Sequence, residues 1–137
     1  MAEALVIHEG DLAWETWSNA RLALESPVVW KDLIGRDRHA SDSLSLGIGE
    51  IPPGAHLSLH RHAAPEVYYV LAGEGIVRID ERDHPVAAGT AVYIPGNARH
   101  AFFNHGTHSI RFAYVFPVDA FADLVYEFEP GEHSSRD

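Results

Sequence analysis

The residues of this chain best suited to chemistry are His60 and His62, one residue apart, with Glu66 four positions further on. Side chains alternate faces along a strand, so an i, i+2 pair of imidazoles projects into one space and can close on one ion. Imidazole nitrogen and carboxylate oxygen together suit a first-row divalent metal, and a firm site asks for one more protein ligand. His100, in the stretch GTAVYIPGNARHAFFN, is the candidate for that ligand. Four protein ligands leave open positions on a five- or six-coordinate ion, which is what a substrate needs. Tyr68 follows Glu66 by two residues. On a strand its phenol enters the same space, while Tyr69 points away. A dication lowers a phenol's pKa from about 10 toward values at which phenolate is accessible, so Tyr68 is a candidate base.

Elements that would position these groups can be read from the periodicity. Val28 to Ile34 reads as the first firm strand. Leu44, Leu46 and Ile48 alternate with Ser45, Gly47 and Gly49, which predicts a half-buried strand ended by Pro52, Pro53 and Gly54. From His56 to His62, strict alternation puts the histidines on the cavity face and turns Leu57 and Leu59 outward, with His56 on the face of His60 at the end of the cavity. Glu66 to Leu71 and Ile76 to Ile79 read as a hairpin around Gly73 to Gly75, with a loop from Asp80 to His84. Val92 to Ile94, His100 to Asn104, Ile110 to Phe116 and Tyr126 to Glu129 follow as strands, and Asp119 is expected to cap a helical turn ending at Leu124. Before them all, Leu5 to His8 reads as a short strand. Trp14 and Trp17 then sit on a segment that forms either one helical turn or an arm on the barrel or a second subunit. Many short strands with Gly and Pro turns point to an all-β jelly-roll or barrel.

The two histidine-bearing stretches resemble the signatures of the cupin family. Gly54, His60, His62, Glu66 and Gly73 meet the first pattern in order and spacing; Gly89, Pro95, His100 and Asn104 meet the second. Asn97 stands where the family has its middle glycine, a residue that tolerates the left-handed backbone. The resemblance implies a single cupin jelly-roll barrel over residues 28–130, with an N-terminal arm (1–27), a short C-terminal helical turn and arm, and a disordered tail (131–137). It also implies that His60, His62, Glu66 and His100 hold one divalent transition metal, whether Fe, Mn, Ni, Co, Cu or Zn.

A further likeness is to the cupin-type dimethylsulfoniopropionate lyases, which carry a tyrosine two positions after the metal-binding Glu and a second near the C-terminus. Tyr68 and Tyr126 match them. That likeness implies β-elimination on a small carboxylate with Tyr68 as base. An iron or copper dioxygenase, and a non-catalytic cupin that binds a small ligand, are the alternative readings. Phe102, Tyr114 and Trp30 are further candidates for the cavity wall.

Composition limits the partners. The 137 residues fit one domain, and a formal net charge of −10 speaks against nucleic acid or an anionic membrane. There is no cysteine, so any metal must be held by nitrogen and oxygen. The N-terminus MAEALVIHEG has no basic stretch leading into a long apolar one, so a cytoplasmic location is expected. Outward leucines at 57 and 59, with Trp14 and Trp17, predict a homodimer.

Overall fold

The computed structural model describes residues 3–39, 41–129 and 132–135. A short helix, α1 (Ala20–Glu25), precedes the strands β1 (Val29–Ile34), β2 (Ser45–Ile51), β3 (His56–Arg61), β4 (Glu66–Ala72), β5 (Glu74–Ile79), β6 (Arg82–Ala87), β7 (Ala91–Ile94), β8 (His100–Phe103), β9 (Ile110–Phe116), β10 (Val125–Phe128) and β11 (Glu132–Ser135). One sheet has the order β1-β2-β9-β4-β7 and the other β11-β10-β3-β8-β5-β6, with every pairing antiparallel. This is the jelly-roll expected, and its core lies between the two sheets. No helix among the described residues is long and apolar enough to cross a membrane.

Several local expectations are corrected. Leu5 to His8 is not a strand, and Val6 is fully exposed. The anticipated hairpin between residues 66–71 and 76–79 does not form. At Gly73, where φ is +84°, the chain leaves one sheet for the other, so β4 pairs with β7 and β9 while β5 pairs with β6 and β8. A residue with a side chain there would press on the backbone of Ser109 and Ile110. The supposed loop at 80–84 is a tight turn: Asp80 and Glu81 both have positive φ, 46° and 71°, the left-handed pair that a two-residue hairpin requires. Asp119 does not cap the turn after β9. Asp37 does so from across the fold, with Oδ1 and Oδ2 accepting from the Phe121 and Ala122 amides at 2.6 and 2.9 Å, while Asp119 accepts from the Ser43 amide. Of the tail expected to be disordered, Glu132–Ser135 pairs with β10; residues 131, 136 and 137 lie outside the described residues.

Two faces are reversed relative to simple alternation. In β2 the inward face is Ser45, Gly47, Gly49 and Ile51, not the leucines, and Leu44 is left exposed. The reason is the neighbouring strand. Gly47 pairs with Tyr114 and Gly49 with Phe112, and each ring lies across its glycine. A Cβ on Gly49 would meet the Phe112 ring at 2.7 Å, and one on Gly47 would overlap Tyr114 more deeply. A Gly47→Ala variant is therefore expected to be less stable by about 2 kcal/mol, the order of cost of overpacking a dense core. Thermal unfolding measures this, and an unchanged midpoint would show that Tyr114 can move aside freely.

In β3 the register slips between Leu57 and His60. This bulge turns both Leu57 and His60 inward, and it moves His56 off the histidine face to stack on Phe103, 5.6 Å between ring centres. Ser26 braces the irregular strand, its hydroxyl donating to the His56 carbonyl and accepting from the Ser58 amide, each at 3.0 Å. Leu57 is thus core, and cannot form the outward patch predicted for a dimer.

The N-terminal segment is an arm rather than a helical turn around the tryptophans. Asn19 caps α1 by accepting from the Leu22 amide at 3.0 Å, so the helix starts only after Trp17. Upstream, Glu15 and Trp30 exchange two backbone hydrogen bonds of 2.8 and 3.1 Å, laying the arm along β1. Trp17 is driven into the barrel against Trp30, Tyr126 and Phe128. Trp14 stays partly exposed beneath the Lys31 ammonium, 4.6 Å from its ring centre.

Candidate metal centre and cavity

The fold brings the sequence-predicted ligands together. His60 and His100 face each other directly across the β3–β8 ladder, His62 follows the end of β3, and Glu66 opens β4 in the opposite sheet. All four are buried. Ring nitrogens of the three histidines lie within 4.8 Å of one another, a group able to hold a metal ion. Glu66 Oε1 is 3.2 Å from His62 Nε2 and 3.4 Å from His100 Nε2.

Backbone carbonyls set which nitrogen of each ring faces the centre. His60 Nδ1 lies 2.6 Å from the Ser58 carbonyl, His62 Nδ1 2.8 Å from that of Ala64, and His100 Nδ1 2.9 Å from that of Ala98. A carbonyl oxygen only accepts, so each Nδ1 carries a proton and Nε2 is the nitrogen each ring turns toward the centre. The loops providing those carbonyls are themselves pinned. Asn97, with φ of 63° in the left-handed region as the sequence suggests, donates its amide to the His62 carbonyl at 2.8 Å. Asn104 has a structural part, its side-chain nitrogen bonding the Ile51 and His108 carbonyls at 2.9 and 2.8 Å.

Electrostatics fit a cation. Burial, reinforced by His100 and His62, holds the His60 imidazole well below the usual 6.5, in its neutral ligating form. Burial pushes the Glu66 carboxyl up, but His100 and His62 beside it outweigh that and leave it below the ordinary carboxylate value. His100 Nε2 is buried with no hydrogen-bond partner. Three inward ring nitrogens converging on a buried carboxylate are satisfied either by protons on the imidazoles, which then donate to Glu66, or by a shared cation. This donor set therefore fits a divalent transition metal.

A cavity of about 40 Å³ adjoins the cluster. His60, Glu66, Tyr68, Tyr114, Tyr126 and Trp30 line it, as several of the sequence expectations require. Tyr68 is 1% exposed and Tyr69 46%, the alternation predicted from their order. The Tyr68 ring is 6.3 Å from that of His100, and Tyr126 is 5.4 and 5.3 Å from His60 and His62. Phe102 is core behind Tyr68, stacked on it at 5.5 Å, and His56 takes no part. Sequence reasoning did not place Trp17 or Gly49 in this wall. Trp17 was visible only as an ambiguous aromatic, and a glycine gives no signal of what lies across it.

Two antiparallel sheets enclosing a histidine-rich centre are the architecture of a cupin, and the family model for the cupin domain matches residues 47–116. The chain belongs to the cupin family. It is 44% identical over 101 residues to the dimethylsulfoniopropionate lyase DddW of Ruegeria pomeroyi, a match that covers 74% of this chain and 66% of that protein. The chain thus spans a little under two thirds of that relative's length. It is 26% identical to an oxalate-binding protein of Thermotoga maritima, over 81% of this chain and 92% of that one. Among solved structures, that of the dimethylsulfoniopropionate lyase DddQ of Ruegeria pomeroyi matches with a TM-score of 0.70 and 25% identity, over 80% of this chain and 58% of that one.

Proposed function

We propose that this protein is a metal-dependent lyase that cleaves dimethylsulfoniopropionate, or a closely similar small carboxylate, by β-elimination. The observation that carries the reading is that Tyr68 and Tyr126 line the same cavity as His60 and Glu66, in a chain 44% identical to DddW. When bound by His60, His62, Glu66 and His100, a divalent metal would supply Lewis-acid stabilisation of charge developing on the substrate carboxylate. The chain's own groups do the rest. Tyr68, as phenolate, takes the proton from the carbon next to the carboxylate. The electrons of that C–H bond become the new C=C bond, and the carbon–sulfur bond breaks with its pair leaving on dimethyl sulfide. Acrylate remains. Tyr126, against His60 and His62, orients the substrate and walls it from water, while Trp17 and Trp30 offer aromatic faces to the sulfonium.

The test is headspace detection of dimethyl sulfide after adding dimethylsulfoniopropionate to protein reconstituted in turn with each candidate metal, with dissolved oxygen followed in parallel. Release of dimethyl sulfide with no oxygen uptake is expected. Oxygen consumption that depends on substrate and Fe(II) or Cu would instead identify a dioxygenase, and saturable binding without turnover a ligand-binding cupin.

The homodimer remains part of this proposal on a different surface. Val67, Tyr69 and Leu71 on β4 and Tyr93 on β7 are exposed side by side on the outer face of the five-stranded sheet. In a chain of net charge −10, an uncharged apolar face is where a second copy can approach with least repulsion. Sedimentation at micromolar concentration should show a dimer that Tyr93→Lys dissociates; a monomeric wild type would refute it.

A further inference from the structure

Ser26 lies outside both histidine-bearing stretches, yet its side chain is tied to the strand that carries His60. Between the Leu57–Phe102 and His60–His100 pairs, β3 advances by three residues while β8 advances by two. Without that extra residue, alternation would send His60 outward whenever Leu57 points inward; with it, both are buried. Ser58 sits in the bulge, with no partner residue on β8 or β10 among the described residues. Its two backbone groups still find partners. The Ser58 amide donates to Ser26 Oγ at 3.0 Å, and the Ser58 carbonyl accepts from His60 Nδ1 at 2.6 Å. Ser26 Oγ also donates to the His56 carbonyl at 3.0 Å, so one hydroxyl holds the backbone on both sides of Leu57. Ser26 is itself fixed. It is fully buried, its amide donates to the Leu22 carbonyl at the end of α1 at 2.8 Å, and its carbonyl accepts from the Val28 amide at 2.7 Å.

We infer that Ser26 is a positioning residue for the metal centre: through Ser58 it fixes the His60 imidazole, and so sets the affinity of the centre for a divalent ion. This rests on the metal-binding part of the reading above and not on the elimination chemistry. Two hydrogen bonds in series carry the effect, from Ser26 Oγ to the Ser58 amide and from the Ser58 carbonyl to His60 Nδ1. A ring already held in one orientation and one tautomer loses less freedom when an ion arrives. His62 and His100 bond the carbonyls of Ala64 and Ala98 instead, so Ser26 acts on one imidazole of the three. The segment before β1 thereby gains a part in the site. Helix α1, capped by Asn19, is the bracket that presents Ser26 to β3.

The test measures Co(II) affinity by competition against a chelator. Ser45→Ala is the comparison, because Ser45 is an equally buried serine whose Oγ donates to the Val118 carbonyl at 2.8 Å, away from the histidines. Ser26→Ala is expected to weaken binding about tenfold or more, and Ser45→Ala to leave it within about twofold of wild type. A second readout isolates His60. In the Co(II) protein each imidazole Nδ1–H gives a paramagnetically shifted, exchangeable proton signal, and His60→Gln identifies the one that belongs to His60. Ser26→Ala should speed solvent exchange of that signal alone, leaving those of His62 and His100 in place. Should Ser26→Ala fail to fold, Ser26→Cys, whose thiol is a weaker donor and acceptor at the same position, should show the same changes in smaller measure. Affinity within about twofold of wild type in the Ser26 variant, an equal loss in Ser45→Ala, or a uniform change of all three signals overturns the inference. Failure of the lyase reading looks different: no dimethyl sulfide from a wild type whose Co(II) affinity still depends on Ser26. A wild type that binds no divalent ion sinks both.

Discussion

Replacing Tyr68 by Phe is expected to slow dimethyl sulfide release about 10³-fold while the protein still binds metal at the wild-type stoichiometry. The ring is almost wholly buried, stacked on Phe102 and edge-on to Phe112 at 5.0 Å, and phenylalanine preserves those contacts. Only one oxygen is lost, at the residue that shares the cavity with His60 and Glu66. Removing a general base typically costs a factor of 10² to 10⁴, whereas an aromatic that merely fills the barrel costs little when its shape is kept. Turnover and metal content measured on one preparation separate the two cases. Activity within threefold of wild type would remove Tyr68 from the chemistry and turn attention to Tyr126, whose ring touches His60 and His62. A slow variant that had also lost metal would show instead that Tyr68 supports the centre.

The clustering of His60, His62 and His100 beside Glu66 was legible in the sequence because these residues sit beside turns whose spacing the fold keeps. His62 leaves β3 next to the turn that Asn97 closes, and Glu66 opens the following strand, so counting along the chain is enough. The order Glu66, Tyr68, Tyr69 was readable for a similar reason: β4 runs without a bulge over those residues, and period two holds. Legibility failed where a contact distant in sequence decides a local choice. The slip between Leu57 and His60 reversed the assignment of His56 and Leu57, and it depends on Ser26, some thirty residues away. The inward glycines of β2 read as weak strand positions until the rings of Phe112 and Tyr114 are seen to need their space. Asp37 and Asp119 are equally good caps by type, and only the tertiary fold says that Asp37 reaches the Phe121 amide.

Removing one imidazole from the centre should produce the other large effect. His100→Ala is expected to weaken metal binding about 10²-fold, since a total of some 10 kcal/mol or more shared by four ligands leaves about 3 kcal/mol for each. Competition against a chelator of known affinity measures it, and an unchanged affinity would mean that the ion is held elsewhere. The metal-free protein should in turn be sensitive to acid. His60 is held well below 6.5 in the folded state by burial and by His100 and His62, whereas in the unfolded chain it titrates near 6.5. Below that pH the unfolded state binds a proton that the folded state refuses, so stability falls with pH by about 1.4 kcal/mol per unit for this group. Above 6.5 the contribution is flat, because His60 is neutral in both states. Glu66 acts in the same direction at lower pH: its folded pKa is depressed, so its stabilising share is present above 4.5 and is lost as pH falls through the folded value. Thermal unfolding of chelator-treated protein should therefore show a midpoint that drops between pH 7.5 and 5.5, and His60→Gln should remove most of the drop. Saturating metal should restore the midpoint at pH 7.5 and lose its effect toward pH 5, because the ion binds the same lone pairs that protons take in acid. A midpoint indifferent to pH in the metal-free form would mean that His60 is not neutral at the centre, and that its Nε2 is not the free donor atom the metal site requires.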